Sequence, residues 1–206
     1  MEWNLLTAQN LAIIDKEVGN RNFSCAEYEI VRRVICATGD LNYYSLVNFS
    51  ANALKSSVEA LNDRVPIIVD AAVIQTGILY SLQQTFLNPI YCLEDISIPI
   101  SLRQKKSWLL QHLSLRYTSP IYIIGQSSGV LITLLDLMES QSIQPSLIIA
   151  TPSGFIRKEL TNNRLKESSV AHIRIDSSKG GVNLAIAIFT GLVDLAWIGK
   201  QLTIRN

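Results

Sequence analysis

Five short, nearly continuous apolar runs constrain the fold of this 206-residue chain more than any other feature. All are rich in β-branched residues, and they occupy residues 66–69, 89–93, 120–124, 146–150 and 171–175. A strand with one face in water alternates apolar and polar residues, whereas a continuous apolar run is typical of a parallel strand buried on both faces. The sequence therefore predicts a mainly parallel sheet of about five strands.

Helical patterns fill much of the chain around these runs. Amphipathic stretches between the runs lie at residues 102–115, 128–139 and 155–165. The first 60 residues read as helices at 5–18, 25–37 and 50–61 with no strand, and a mostly apolar helix at 182–196 closes the chain. Strands that alternate with helices form right-handed βαβ units. We expect an α/β fold, a three-layer α/β/α sandwich with a doubly wound sheet, in a single domain spanning residues 1–206.

Composition excludes several classes of partner. Charged residues make up 17% of the chain, the net charge is +1, and no run of Lys or Arg exceeds two residues, so neither nucleic acid nor an anionic membrane is expected to bind. The apolar runs are short and the first residues lack a basic stretch, which predicts a cytoplasmic protein. The share of hydrophobic residues, 48%, predicts a dimer that buries further surface.

Cysteine and histidine are too few and too scattered for a standard metal site. Cys25, Cys36 and Cys92 show no CxxC spacing, and His112 and His172 are the two histidines of the chain. We expect three free thiols, no metal and no cofactor.

Four glycine-rich or polar turns follow the predicted strands, at residues 70–72, 125–129, 151–155 and 179–181. Ligands of open α/β sheets bind beyond the carboxyl ends of the strands, where backbone N–H groups at the start of helices accept anions. The same turns have simpler explanations, because Asp70 can cap a helix and the glycines can serve turn geometry alone.

These turns, in this order, resemble those of the precorrin-8X methylmutases, from about Asn10 to Leu192. The residues that match the family pattern are Arg33 and Ala37, Pro66 and Ile67 with Asp70 and Gly77, Ile124 and Gly125, Pro152 with Gly154 and Phe155, and Gly180 with Gly181. The resemblance implies an isomerase of cobalamin biosynthesis that moves a methyl group between neighbouring ring carbons of a corrin precursor. It also implies a homodimer with a corrin-sized cleft near the subunit interface.

The resemblance also assigns site residues. Cys36 stands at the place of the family's catalytic histidine. The substrate-binding positions are Asn10, Arg33, Asp70, Arg103, Gly125, Gln126, Ser127, Gly129, Gly154, Lys179, Gly180 and Gly181. Corrin precursors bear many carboxylates, which arginines and helix N-termini bind well.

The chain departs from the family pattern at several of these positions. Residues 126–129 replace an Asn-Ala-Pro-Thr turn, residues 160–162 replace a Glu-Ser-Lys segment, and Asn10 replaces a serine. At Cys36, a thiol is a weaker acid and a weaker hydrogen-bond donor than the imidazolium it replaces. Two interpretations stay open: a mutase that works with an altered acid, and a corrinoid-binding protein without turnover. Cys36 itself can be a small buried helix residue or a pocket residue.

A serine hydrolase is a third interpretation. Gly125 to Gly129 matches the GxSxG pattern between a predicted strand and a predicted helix, which is the setting of a nucleophile elbow. His172 is the one histidine downstream of Ser127, and it stands at the entrance of an apolar strand rather than on a loop.

Overall fold

The computed structural model describes residues 5–19, 22–94, 102–117, 119–156 and 158–204. Its strands are β1 (Val47–Phe49), β2 (Ile67–Val69), β3 (Ile90–Cys92), β4 (Ile121–Ile124), β5 (Leu147–Ala150) and β6 (His172–Ile175). Its helices are α1 (Leu5–Val18), α2 (Cys25–Thr38), α3 (Tyr43–Leu46), α4 (Ala53–Asn62), α5 (Ala72–Gln83), α6 (Leu102–Arg116), α7 (Ser128–Glu139), α8 (Lys158–Glu167) and α9 (Val182–Ile204).

The strands form one sheet in the order β1-β6-β5-β4-β2-β3. Strands β2 to β6 pair in parallel, and they are the five strands predicted from the apolar runs. The prediction of no strand in the first 60 residues is wrong, because β1 pairs antiparallel with β6, with Val47 opposite Ile175. A three-residue edge strand is too short to show a period of its own, and its pairing depends on a segment more than 120 residues away.

Alternate side chains of the central strands point into two separate cores. On one face Ile67, Ile121 and Ile149 pack with buried residues of α1, α2, α4, α5 and α9. On the other face Tyr122 and Ile148 pack with α6, α7 and α8. This confirms the three-layer α/β/α architecture. The chain leaves β2 for one face and β4 for the other, so a crevice opens between the carboxyl ends of these two neighbouring strands.

Helix α2 has sequence signals at both ends. Ser24 and Glu27 form a capping box at its start, and Gly39 ends it in the left-handed region with φ +67°. Apolar residues at three- and four-residue spacing face the core, whereas Arg33 and Cys36 lie on another side of the helix. Cys36 therefore occupies the last turn of α2 with its side chain outside the core.

Several helices differ from the prediction, among them α8 and α5. Helix α8 begins at Lys158 rather than at residue 155, after a turn in which Gly154 has φ +130°. Helix α5 is absent from the prediction, since Gly77 interrupts an apolar stretch that shows weak periodicity. In the folded chain a Cβ at residue 77 would collide with the side chain of Ile186, so this glycine lets α5 approach α9 closely.

Helix α9 continues to Ile204, beyond its predicted end at residue 196. By length and composition it is apolar enough to cross a bilayer over Val182–Thr203, although 44% of its most apolar window is buried inside the protein. Phe189 and Val193 are fully buried members of the core on that face of the sheet. This is the environment of a core helix.

Candidate functional site

The turn between β4 and α7 is bound by the chain's own carboxylate. Asp70 follows β2 and is fully buried. Its oxygens accept hydrogen bonds from the backbone N–H groups of Gly125 at 2.9 Å, Gln126 at 3.0 Å and Ser127 at 2.6 Å. Burial raises the pKa of Asp70, and the three N–H groups and Lys106 oppose that rise. Asp70 thus spans the crevice between β2 and β4 and occupies the donors that an anionic ligand would use.

Lys106 closes the same crevice from α6. Its ammonium donates to the backbone oxygen of Asp70 at 2.8 Å, to Glu94 Oε1 at 2.8 Å and to Gln126 Oε1 at 2.9 Å. Glu94 in turn accepts from the backbone N–H of Ala72 at 2.8 Å. A recess of about 600 Å³ lies beside this cluster, lined by Lys106 and the first residues of α7. The charged side chains of the recess wall, Lys106 and Glu94, are therefore paired with each other.

The turns after β5 and β6 are joined to each other. The N–H of Gly154 donates to Ser178 O at 3.1 Å, and Thr151 bonds Gly181 through both its backbone and its hydroxyl. A Cβ at Gly180 would overlap the carbonyl oxygens of Thr151 and Pro152. Close backbone packing therefore explains why residue 180 is glycine.

Lys179 ties this pair of turns to the end of α2. Its ammonium donates to Asp40 Oδ2 at 2.9 Å, and its backbone oxygen accepts from the Tyr43 hydroxyl at 2.8 Å. The bond from Lys179 lowers the pKa of Asp40 and raises that of Lys179. The predicted substrate residue Lys179 thus has an internal partner, in an exposed ion pair that water screens.

Cys36 lies in a different place, a largely apolar pocket of about 500 Å³ between α1, α2 and α9. We call it the α2–α9 pocket; its lining is Thr7, Leu11, Glu29, Arg33, Cys36, Ala37, Asn183, Ile186, Ala187 and Thr190. The thiol is exposed, as is that of Cys25, whereas Cys92 is buried, and all three cysteines are free. Of the two structural settings considered for Cys36, the structure places it in a pocket.

Most polar groups of the α2–α9 pocket already have partners. Arg33 forms ion pairs with Asp194 at 2.6 Å and with Glu29 at 3.1 Å, and Thr190 donates to the backbone oxygen of Ile186 at 2.8 Å. Within the described part of the chain, the side chains of Cys36 and Asn183 have no hydrogen-bond partner. A ligand in the pocket would therefore meet a thiol and a carboxamide free to bond.

The predicted site residues fall into three groups. Cys36 and Arg33 line the α2–α9 pocket, Gln126, Ser127 and Gly129 line the recess beside Lys106, and Gly154 lines a third recess at β6. Asp70 and Gly125 lie behind the second group, and Lys179, Gly180 and Gly181 belong to the turns beside the third. Asn10 is exposed on α1 and does not line the α2–α9 pocket. The side chain of Arg103 lies outside the described residues.

Sequence reasoning missed many of the polar residues that line these recesses, and three of them are Lys106, Lys158 and Asn183. Each stands near the start of a helix that follows a strand, and none belongs to the motifs of the family pattern. Their position shortly after a strand was the one signal in the sequence that could have identified them, but many solvent-exposed residues occupy the same kind of position.

Neither histidine, both of which the structure describes, is bonded to Ser127. The ring of His172 is buried, with Nδ1 2.9 Å from Val170 O and Nε2 3.1 Å from an Arg174 nitrogen, and His112 stacks on Trp108. The Ser127 hydroxyl accepts from the N–H of Val130 and caps α7. The geometry thus gives a helix cap and no serine–histidine pair. Among the described residues, no group of three metal-binding side chains occurs either.

Known proteins match this chain over nearly its whole length. Residues 6–195 match the family model of precorrin-8X methylmutase. A cobalt-precorrin-8 methylmutase of Synechocystis sp. is 30% identical over 92% of this chain and 94% of its own, and one of Methanocaldococcus jannaschii is 29% identical over 89% and 87%. The crystal structure of a precorrin-8X methylmutase from Thermus thermophilus superposes with a TM-score of 0.84 at 27% identity, covering 95% of this chain and 99% of that one. By family model, relatives and fold, the chain belongs to the precorrin-8X methylmutase family.

Proposed function

We propose that this chain is a methylmutase of cobalamin biosynthesis, which moves a methyl group between adjacent ring carbons of precorrin-8X or its cobalt form, with Cys36 as the catalytic residue. The main support is the position of Cys36, an exposed thiol in the largely apolar α2–α9 pocket. Cys36 lies within residues 6–195, which match the family model.

The reaction requires little covalent chemistry from the protein. One carbon–carbon bond breaks as its neighbour forms, no atom enters or leaves, and no cofactor is consumed. The protein has to hold the macrocycle in one orientation, exclude water and bias the electron distribution of the ring. The Cys36 thiol can hydrogen-bond a ring nitrogen or lend it a proton and recover it afterwards. Apolar walls strengthen such a bond because they lower the local dielectric constant.

The carboxylates of the substrate would meet the polar rims of the three recesses. Gln126, Gly129 and Lys179 are exposed, and we propose that the parts of the macrocycle outside the α2–α9 pocket contact them. Arg33 lies at the pocket wall, where its ion pairs to Glu29 and Asp194 fix its position. Asp70 and Gly125 act from behind, since they set the shape of the β4–α7 turn.

The test is to incubate purified protein with precorrin-8X and follow conversion to hydrogenobyrinic acid by visible spectroscopy. We expect turnover by the natural chain, faster turnover by Cys36→His, and a loss of at least about tenfold in Cys36→Ala. Cys25→Ala, the same change at the other exposed thiol, should match the natural chain.

The outcome also separates this function from its alternative. Binding of hydrogenobyrinic acid without turnover, with activity gained in Cys36→His, would make the protein a corrinoid binder without catalysis. Failure of both the natural chain and Cys36→His to bind the corrin would contradict both functions.

We also propose that the protein is a homodimer that uses α1. Leu6 and Ile13 of this helix are 70% and 60% exposed, and their seven-residue spacing puts them on one side. Thr7 and Leu11 of the same helix line the α2–α9 pocket, so a partner packed on α1 would lie beside that pocket. Light scattering should give twice the 22.9 kDa chain mass. A monomer at micromolar concentration would contradict the proposal, and Leu6→Glu should weaken the dimer.

A further inference from the structure

A third recess, of about 420 Å³, lies beyond the carboxyl end of β6. Helix α8 forms one wall with Lys158 and Asn162, and the turn after β6 forms the other with Asp176, Ser177 and Ser178. Lys166 and Arg174 add two further cations, while Glu159 and Asp176 are the carboxylates of the lining. We call this cavity the Lys158 recess.

The Asp176 carboxylate is already neutralised. Arg174, itself nearly buried, donates to Asp176 Oδ1 at 2.8 Å and to Oδ2 at 3.1 Å. Asn162 donates to Oδ1 as well, at 3.1 Å. Three donors on one carboxylate leave it little capacity to compensate another cation.

Lys158 is a partly buried cation without a close counter-charge, whereas Lys166, the other lining cation with no ion pair among the described residues, is exposed. No carboxylate of the described residues forms an ion pair with it, and its ammonium donates to the backbone oxygen of Pro152 at 3.2 Å. Burial lowers the pKa of Lys158, and Asp176 opposes this only through space. A partly buried lysine whose charge is not balanced is costly for a fold, and such groups are concentrated at binding sites. The side chain lines an open cavity, so a ligand can reach it.

We propose that the Lys158 recess binds a carboxylate, with the Lys158 ammonium as its counter-charge. The ligand in this protein is one carboxylate arm of the corrin substrate, and this identity rests on the proposed function. The hydroxyl groups of Ser177 and Ser178 stand on the opposite wall, as hydrogen-bond donors for the second carboxylate oxygen. Exposed Phe155 follows Gly154 at the rim, where it offers an apolar surface to the arm's carbon chain.

The experiment compares binding of hydrogenobyrinic acid to the natural chain, Lys158→Met, Lys158→Arg and Lys55→Met. Methionine keeps the length of the apolar stem and removes the charge, while arginine restores the charge. Lys55, on the exposed side of α4 and 78% accessible, is the matched control. We expect Lys158→Met to bind about 10- to 100-fold more weakly, Lys158→Arg to recover most of the loss, and Lys55→Met to bind as the natural chain. Equal binding by Lys158→Met and the natural chain would overturn the proposal.

A second measurement does not depend on the corrin. In protein whose lysines carry ¹³C-methyl groups, the Lys158 resonance is identified by its absence from Lys158→Arg and followed during titration with glutarate. A saturable shift at Lys158, absent at Lys55, supports the carboxylate site, and an unmoved Lys158 resonance contradicts it. If the natural chain fails to bind hydrogenobyrinic acid while glutarate still moves Lys158, the methylmutase function fails and the recess stands as a site for a free carboxylate.

Discussion

The β4–α7 turn and the α2–α9 pocket both contain predicted site residues, but they differ in what their polar groups are already doing. In the turn, three consecutive backbone N–H groups bond to the buried Asp70 carboxylate. In the pocket, the side chains of Cys36 and Asn183 bond to nothing in the described part of the chain. A region that resembles a ligand site by its donors can thus be complete without a ligand. Uncommitted polar groups in a cavity are the better guide to where a ligand binds.

The same difference, between polar groups that have internal partners and polar groups that do not, separates two sets of side chains around β6. His172, Arg174 and Asp176 form a chain of hydrogen bonds that satisfies each member. Lys158, across the recess, donates to one acceptor among the described residues, the carbonyl oxygen of Pro152. We therefore expect substitutions of polar groups that have internal hydrogen-bond partners to reduce stability. Substitutions of polar groups without such partners should reduce ligand binding and have little effect on stability.

The largest loss of stability is expected for Asp70→Ala. Removing the carboxylate leaves three N–H donors in a buried turn without their acceptor, which should cost about 3 kcal/mol or more of the free energy of unfolding. The stability of Asp70→Asn should lie between those of Asp70→Ala and the natural chain, because its amide keeps one acceptor oxygen and turns an NH₂ toward the remaining donors. Urea denaturation measures the loss, with exposed Asp63→Ala as the control. A stable Asp70→Ala protein would show that the turn does not depend on this carboxylate.

Gly180→Ala is expected to cost about 2–3 kcal/mol, because the new methyl group would overlap two backbone carbonyl oxygens that cannot rotate away. The matched control is Gly199→Ala, where a Cβ meets open space and alanine favours the helix, so stability should rise by roughly 0.5–1 kcal/mol. Thermal unfolding of both variants compares them directly. Equal melting temperatures would mean that the joined turns after β5 and β6 are looser than the structure shows.

A smaller effect is expected from the protonation of His172. Burial lowers its pKa below the ordinary 6.5, and a proton on Nε2 would also face the Arg174 guanidinium. The folded chain therefore binds this proton less readily than the unfolded chain. The contribution of neutral His172 is present above the ordinary pKa and is lost as the pH falls from 6.5 toward the lowered value. His172→Gln should flatten the loss of stability in that window, while His112→Gln at an exposed helix position should not. Identical pH profiles for all three proteins would contradict this account.

Much of the fold follows from local pattern. The five parallel strands coincide with the apolar runs. Strands β2, β4, β5 and β6 are fully buried and the edge strand β3 is partly buried, and α7 spans Ser128–Glu139 as its periodicity predicts. Strand β1 was missed because it is defined by pairing with β6, a segment far away in the sequence. Helix α5 was missed because Gly77 interrupts its apolar pattern, and the reason for that glycine is a close contact with Ile186 of α9. Both misses concern information held in another part of the chain.

The candidate site was less accessible to sequence reasoning. Sequence patterns identified Cys36 and the turns. They could not show that Asp70 accepts hydrogen bonds from the backbone N–H groups of residues 125–127, because this depends on β2 and β4 lying side by side in the sheet. The same holds for Lys158, whose importance lies in the absence of a counter-charge that a nearby carboxylate could have supplied. Motifs show where a family places its chemistry, whereas partner geometry decides which polar groups are free.

Protection of Cys36 from alkylation tests the central claim, that the α2–α9 pocket is the corrin site. Cys36 and Cys25 are both exposed, so iodoacetamide should modify both in the free protein, while buried Cys92 serves as the unreactive reference. The rate at each thiol can be followed by mass spectrometry with and without hydrogenobyrinic acid. We predict that the ligand slows modification of Cys36 at least about tenfold and leaves Cys25 unchanged. Equal rates at Cys36 with and without saturating ligand would place the corrin elsewhere and contradict the account.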